Sequence, residues 1–239
     1  MPTLEQLLLE KRRYGLEQTV SSFELEQLKK GTPIQKIIGY IEMADVKIDL
    51  SKKVLIPRYE TEELIYLVKE HINDKDQLNI LDLCCGSGFI GIALQKFKPN
   101  CTVTMSDIDH EAILQSQINQ KINNVKVNII QSDLFEHLPT NHFDIIVSNP
   151  PYIKNTEILD KSVLDFEPHH ALFAPDNGLY FYKQILKQAP KYFKNQKGLL
   201  FFEINALDLE FWNELKNQYK LEIIKDIAGL NRIVKITFE

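Results

Sequence analysis

From residue 78 to its end the sequence alternates between short β-rich runs and longer amphipathic ones, and nothing else in it constrains the fold as strongly. Strands are expected at 78–83, 102–106, 126–131, 143–148 and 198–204, and helices at 88–97, 109–122, 178–193 and 207–217. Parallel neighbours need crossovers of a dozen or more residues, which helices supply, so the pattern predicts an α/β fold with a mostly parallel sheet and helices on both faces. The last two runs, 220–227 and 232–238, turn about Gly229-Leu230-Asn231 and read as an antiparallel hairpin, which makes a mixed seven-stranded sheet.

Ahead of this core, Leu4, Leu7 and Leu8, then Phe23, Leu25 and Leu28, recur at helical spacing. Two short helices follow, about 3–13 and 21–30, the second capped by Ser21 or Ser22. The segment 1–30 is too small to hold a core of its own and is expected to pack on the main domain, 31–239. Gly31-Thr32-Pro33 breaks the pattern, and the runs Lys36–Met43 and Val46–Leu50 read as a β-hairpin over about 36–50, at the edge of the site. A helix is expected at 61–72, with Arg58 and Glu60 before it as an ion pair or cap. The stretch 153–177 is longer than a connection normally needs and is read as a loop that could cover the site. His169 and His170 lack a metal-ligand spacing, so no metal is expected; the aromatic set Phe181, Tyr182, Tyr192 and Phe193 reads as helix core.

At 239 residues and 44% hydrophobic the chain can bury one substantial core. It has no apolar run of membrane-spanning length, and Met-Pro-Thr-Leu-Glu-Gln lacks the layout of a signal peptide, so a cytoplasmic protein is expected. Three cysteines, two of them adjacent at Cys84 and Cys85, predict reduced thiols. A formal charge of −5 argues against a large nucleic-acid surface.

The run Phe143–Val147 has the composition of a strand buried on both faces, and it stops at Ser148-Asn149-Pro150-Pro151-Tyr152-Ile153. Two prolines lack N–H donors and fix φ, so no strand continues through them. One consequence is a stiff platform at a strand's carboxyl end: backbone carbonyls and the Asn149 amide oxygen as acceptors, the Tyr152 ring as a flat face. Such a platform suits a planar group carrying NH2, an amide or an amino-purine. Taken alone, the four residues fit equally well a plain strand stop with Asn149 capping a turn.

Leu78–Leu83 runs into Cys84-Cys85-Gly86-Ser87-Gly88 and then a helix, the layout in which backbone N–H groups approach a ligand. Asp107, at the end of the next strand and roughly 20 residues past the glycines, is placed to hold ribose hydroxyls. Asp133 after the third strand can accept from an adenine amino group, and Leu134 can pack on the ring. No Gly-Lys-Ser/Thr phosphate loop occurs, and Asp82 just before the turn would repel a pyrophosphate. A sulfonium-bearing nucleoside, S-adenosylmethionine, is favoured over NAD.

Together these segments resemble the protein-(glutamine-N5) methyltransferase family acting on class 1 peptide chain release factors. The resemblance rests on Gly-Thr-Pro-Ile-Gln at 31–35, Leu-Ile-Pro-Arg-Tyr-Glu-Thr-Glu at 55–62, the turn from Asp82 to Gly91, and Asp107. It continues with Ser-Asp-Leu-Phe at 132–135, Asn149 to Ile153, Phe166-Glu167-Pro168, Ala171-Leu172-Phe173 and Asp176-Asn177-Gly178-Leu179. It implies a Rossmann-like S-adenosylmethionine-dependent methyltransferase in which Asp82, the 84–88 turn, Asp107, Asp133, Leu134 and Asn149 hold the cofactor. Asn149, Pro150, Pro151 and Tyr152 would hold the glutamine. The chain departs from the family pattern at Tyr59 (usually proline), Lys36 (usually tyrosine), Cys84-Cys85 (usually Gly-Thr) and Asn205 (often glycine). Its amino-terminal helical part, which the resemblance makes a docking element for the protein substrate, is short at about 30 residues.

The chemistry expected is transfer of a methyl group to an amide nitrogen, with Asn149 and the Pro150 carbonyl accepting its two hydrogens and Tyr152 packing on its plane. The rivals are a ribosomal-protein glutamine methyltransferase, an N6-adenine or N4-cytosine nucleic-acid methyltransferase, and a non-catalytic adaptor. A nucleic-acid enzyme needs a basic recognition region that this acidic chain does not show, and a monomer without stable nucleic-acid binding is expected.

Overall fold

A computed structural model describes residues 2–206 and 209–239. Helices α1 (Leu4–Arg13) and α2 (Ser22–Lys29) each begin with a capping box, Thr3 with Gln6 and Ser21 with Glu24. These reciprocal bonds satisfy N–H groups that a helix start leaves open, and they identify Ser21 as the cap of the second helix. Leu7 and Leu28 pack with Ile34 in a small cluster of their own.

The run expected as one strand over 36–43 is divided. Ile34–Ile38 forms a short helix, α3, and only Tyr40–Met43 is extended, as β1. Pro33 at the start and Gly39 at φ 92 bracket the helical turn, and they override the β preference of Ile37 and Ile38. β1 pairs antiparallel with β2 (Val46–Asp49), Tyr40 opposite Asp49. The hairpin reaches the glycine turn only indirectly: Asn119 donates both to the Asp49 carbonyl and to the Ser87 carbonyl.

The remaining elements are α4 (Tyr59–Glu70), β3 (Asn79–Leu83), α5 (Phe89–Phe97), β4 (Thr102–Asp107), α6 (His110–Ile122), β5 (Asn128–Gln131), β6 (Ile145–Ser148), β7 (Ile153–Lys154), α7 (Lys161–Phe166), β8 (Phe173–Ala174), α8 (Tyr180–Tyr192), β9 (Gly198–Glu203), α9 (Leu209–Leu215), β10 (Lys220–Lys225) and β11 (Asn231–Phe238). The helix expected over 207–217 is α9; residues 207 and 208 lie outside the described residues.

Seven strands form the main sheet in the order β10-β11-β9-β6-β3-β4-β5. The five from β9 to β5 are parallel, and β11 runs antiparallel to both neighbours. The chain winds from β3 towards β4 and β5 in one direction, then returns to place β6 and β9 on the other side. The crevice above β3 and β6 is therefore the point where strand order reverses, the place where open α/β sheets take their ligands. One core cluster joins Ile80, Val103 and Val147 to α4, α5 and the hairpin; the other joins Leu81, Ile146 and Phe202 to Tyr182, Ile185 and Trp212 from α8 and α9. Helices thus cover both faces. None of the described helices is long and apolar enough to cross a membrane.

The stretch expected as a loop over 153–177 carries structure of its own: β7 and β8 pair in parallel, with α7 between them. Glu167, at the end of α7, is buried; its carboxylate accepts from an Arg58 guanidinium N–H at 2.7 Å and from the Ile56 N–H at 3.1 Å. Arg58 pairs with this distant carboxylate instead of Glu60, and it clamps the segment before α4 to the segment after β7. Removing Arg58 would leave the buried Glu167 without its cation, a larger loss than for an exposed pair.

Candidate active site

Sheet register assembles the site. Leu83 lies beside Ser106 on one side and Ser148 on the other, and Ser148 lies beside Phe202. The next residue of each strand is therefore Asp107, Cys84, Asn149 and Glu203, in one row across the carboxyl edge of four strands. Beyond Asp107 the Ser132 N–H donates to its carbonyl at 2.9 Å and brings in Asp133 and Leu134.

A cavity of about 370 Å³ opens over this row. Of the residues expected to hold a cofactor, Cys84, Gly86, Asp107, Asp133, Leu134 and Asn149 line it, as does Pro151. Cys85, Ser87, Gly88 and Asp82 do not: Cys85 and Ser87 are buried behind the turn, and Gly88 precedes α5 at φ 81, where a β-carbon would lie 2.8 Å from Ser116 Oγ. Leu55, Ile108, His170, Ala171 and Phe181 complete the wall. Phe181, expected in the helix core with Tyr182, faces this cavity, while Tyr182, Tyr192 and Phe193 are buried as expected. His170 comes from the stretch after α7, and its Nε2 meets Asp109 Oδ2 at 3.1 Å across the mouth.

Asp107 accepts the Gly86 N–H on Oδ2 at 2.8 Å and the Asp109 N–H on Oδ1 at 2.9 Å, and each oxygen keeps capacity for a further donor. Burial raises its pKa against the pull of those two bonds. Cys84 stands at φ 63, left-handed backbone that glycine adopts freely, which accounts physically for the glycine usual at this position of the resembling family. Burial, then the nearby Asp107 carboxylate, pushes the Cys84 thiol well up, so it is protonated and inert at neutral pH.

Asp82 is fully buried beneath the turn. Its Oδ2 accepts the Gly91 N–H at 2.9 Å and its Oδ1 has no partner. Burial, opposed by the Gly91 bond and reinforced by Asp107, pushes its pKa up to about 7. The folded protein therefore keeps a proton that an unfolded chain releases near pH 4, so stability falls as pH rises from about 4 to about 7. Urea midpoints at pH 5 and pH 8 are expected to show wild type losing on the order of 2–4 kcal/mol more than Asp82→Asn over that interval. Equal losses in the two proteins would contradict this account.

Beside the large cavity lies a small cleft of about 60 Å³, lined by Arg58, Asn149, Pro150, Pro151, Tyr152 and Glu203. The two spaces share Leu55, Asn149, Pro151 and Ala171. All four residues of the Asn-Pro-Pro-Tyr platform thus surround one opening, and Asn149 stands where the opening meets the cavity beside Asp107. The Asn149 amide nitrogen donates to Thr61 Oγ1 at 3.5 Å, a long contact, and Thr61 Oγ1 donates to Glu203 Oε2 at 2.7 Å. The Tyr152 hydroxyl donates to Glu203 Oε1 at 3.4 Å. Burial raises the pKa of Glu203, opposed by the Thr61 bond, and burial likewise raises Tyr152. Neither Thr61 nor Glu203 was singled out from the sequence, although Thr61 falls in the Leu-Ile-Pro-Arg-Tyr-Glu-Thr-Glu run at 55–62 and Glu203 in the strand expected over 198–204.

The sequence matches the family model "Methyltransferase small domain" over residues 64–167. It is 39% identical over 224 residues to a release factor glutamine methyltransferase of Flavobacterium psychrophilum, covering 90% of this chain and 78% of that one. It is 38% identical over 218 residues to the protein of the same name in Lactococcus lactis, covering 88% and 79%. The fold is similar to that of a T. thermophilus 16S rRNA N2 G1207 methyltransferase in complex with AdoMet and guanosine (TM-score 0.62, 17% identity, 84% of this chain and 50% of that one). Identity of this extent along nearly the whole chain, on a methyltransferase sheet with both spaces at its switch point, places the chain in the release factor glutamine methyltransferase family.

Proposed function

We propose that this methyltransferase moves a methyl group from S-adenosylmethionine to N5 of a glutamine side chain in a class 1 peptide chain release factor. The observation that carries the reading is the small cleft at Asn149–Tyr152 lying against the cavity beside Asp107, with Asn149 and Pro151 in the wall of both. The relatives' names supply the acceptor. The protein acts in the cytoplasm as a monomer, without stable nucleic-acid binding. Residues 1–30 serve as a short helical segment on the methyltransferase domain, 31–239, with Leu4, Leu9 and Phe23 exposed as apolar surface for the protein substrate.

The lining fits S-adenosylmethionine. Asp107 offers two carboxylate oxygens to ribose hydroxyls, Asp133 an acceptor and Leu134 an apolar surface to the base, and Phe181 and Leu55 further apolar wall. Cys84 and Gly86 bring backbone against the ligand, with Cys85, Ser87 and Gly88 supporting the turn from behind. Asp82, buried beneath them with its Oδ1 unpartnered, would act on a cationic amino-acid end through its charge and not by contact. When bound, the cofactor supplies an electrophilic methyl group on a sulfonium.

An amide nitrogen is a weak nucleophile because its lone pair is delocalised into the carbonyl. Asn149 Oδ1 and the Pro150 carbonyl accept its two hydrogens and hold the lone pair in line. They bind more strongly as positive charge develops on nitrogen. Tyr152 packs on the amide plane, and no strong base is needed, since the alkylated amide cation is very acidic. Gly178 positions this platform: at φ 88, a β-carbon there would lie 2.3 Å from the Tyr152 carbonyl oxygen. Gly178→Ala is expected to cost about 1–3 kcal/mol of stability and to lower methyl transfer more than tenfold, read by denaturation and by turnover. A variant with wild-type turnover would separate the platform from the reaction.

The reading is tested by offering labelled S-adenosylmethionine with a release factor, ribosomal proteins and DNA in parallel, then mapping the acceptor by mass. Label on a release-factor glutamine supports it; label only on another acceptor rejects it.

A further inference from the structure

The Asn149 amide can face the cleft in two ways, with its oxygen or with its NH2, and only the first accepts hydrogens from a substrate amide. Within its own residue nothing decides between them. The deciding groups lie on other elements. Glu203, at the end of β9, is 1% exposed, and its side chain receives hydroxyl protons from Thr61 and Tyr152. The Thr61 hydroxyl spends its single proton on Glu203 Oε2, 2.7 Å away. Its oxygen then has only lone pairs to offer Asn149, which must answer with its NH2. The amide oxygen is left pointing at the cleft.

From this geometry we infer that Glu203 and Thr61 form a hydrogen-bond relay that fixes the orientation of the Asn149 amide, and with it the choice of a carboxamide over a carboxylate as acceptor. The inference rests on the function proposed above. Both are positioning residues: they act through Asn149. The relay also ties α4 to the sheet edge, since Thr61 is in the first turn of the helix that Arg58 precedes.

The polarity argument gives a test that loss of packing alone would not pass. Thr61→Val keeps the shape and removes the relay, so the Asn149 amide is free to turn its NH2 to the cleft. Thr61→Ser keeps the hydroxyl. Glu203→Gln can donate as well as accept, so it no longer imposes one direction. Each full-length protein is assayed for turnover on a release factor, for S-adenosylmethionine affinity, and for inhibition by the same release factor with glutamate in place of the acceptor glutamine. Thr61→Val is expected to lower kcat at least tenfold with cofactor affinity within twofold of wild type, and to bind the glutamate form at least tenfold more tightly than wild type does. Glu203→Gln moves both quantities the same way by less, and Thr61→Ser recovers most of each. Unchanged kcat in Thr61→Val overturns the relay, and so does a loss of kcat with glutamine-over-glutamate discrimination unchanged. A wild-type enzyme that leaves the glutamine unmethylated overturns the underlying function and the relay together.

Discussion

Asn149→Ala is expected to lower methyl transfer by about 10²–10³-fold while S-adenosylmethionine affinity stays within a few fold of wild type. The substitution removes the one side-chain acceptor at the junction of cleft and cavity, and with it the group whose bond strengthens as the amide nitrogen becomes positive. Binding of the cofactor draws on a dozen other residues of the cavity and loses little. Single-turnover transfer of labelled methyl groups, paired with a cofactor titration, measures both quantities. A variant that transfers at the wild-type rate would remove the platform from the mechanism; one that loses the cofactor instead would move Asn149 to the other side of the junction.

Asp107→Ala is expected to have the opposite signature: the Kd for S-adenosylmethionine rises about 100-fold or more, and kcat at saturating cofactor changes by a few fold. Hydrogen bonds to a charged acceptor contribute about 1.5–3 kcal/mol each, and two of them to ribose hydroxyls account for such a shift. Asp107 also accepts from the Gly86 and Asp109 N–H groups, so alanine loosens the turn as well as emptying the acceptor. Asp107→Asn separates the two effects because it keeps one acceptor oxygen, and calorimetric titration should place it between wild type and alanine. Wild-type affinity in Asp107→Ala would rule out the ribose role.

The two signatures also mark what sequence could and could not show. The alternation after residue 78 made the sheet legible, because buried parallel strands and their crossover helices leave patterns in every segment. Asp107, Asp133 and Asn149 were legible for the same reason: each follows directly on a β-run that ends. The helix at Ile34–Ile38 was not, since isoleucines favour strands and only the bracketing Pro33 and Gly39 decide otherwise. Thr61 and Glu203 stand 142 residues apart, and Arg58 and Glu167 stand 109 apart. No local spacing announces such partners: Glu203 looked ordinary until the fold buried it, and Glu167 stood out only within the Phe166-Glu167-Pro168 motif. Phe181 was misjudged because a helix can turn one aromatic to a ligand space and the next, Tyr182, to the core.

The row of strand ends has a consequence for how this protein comes into being. Asp107, Cys84 and Asn149 are all synthesised by residue 149, yet the carboxylate at 203 enters only with β9, whose other edge is covered by the later strand β11. A growing polypeptide therefore has no competent centre until the segment through β11 has been made. In refolding from urea, methyl transfer should return together with the pairing of these last strands rather than with the earlier helices.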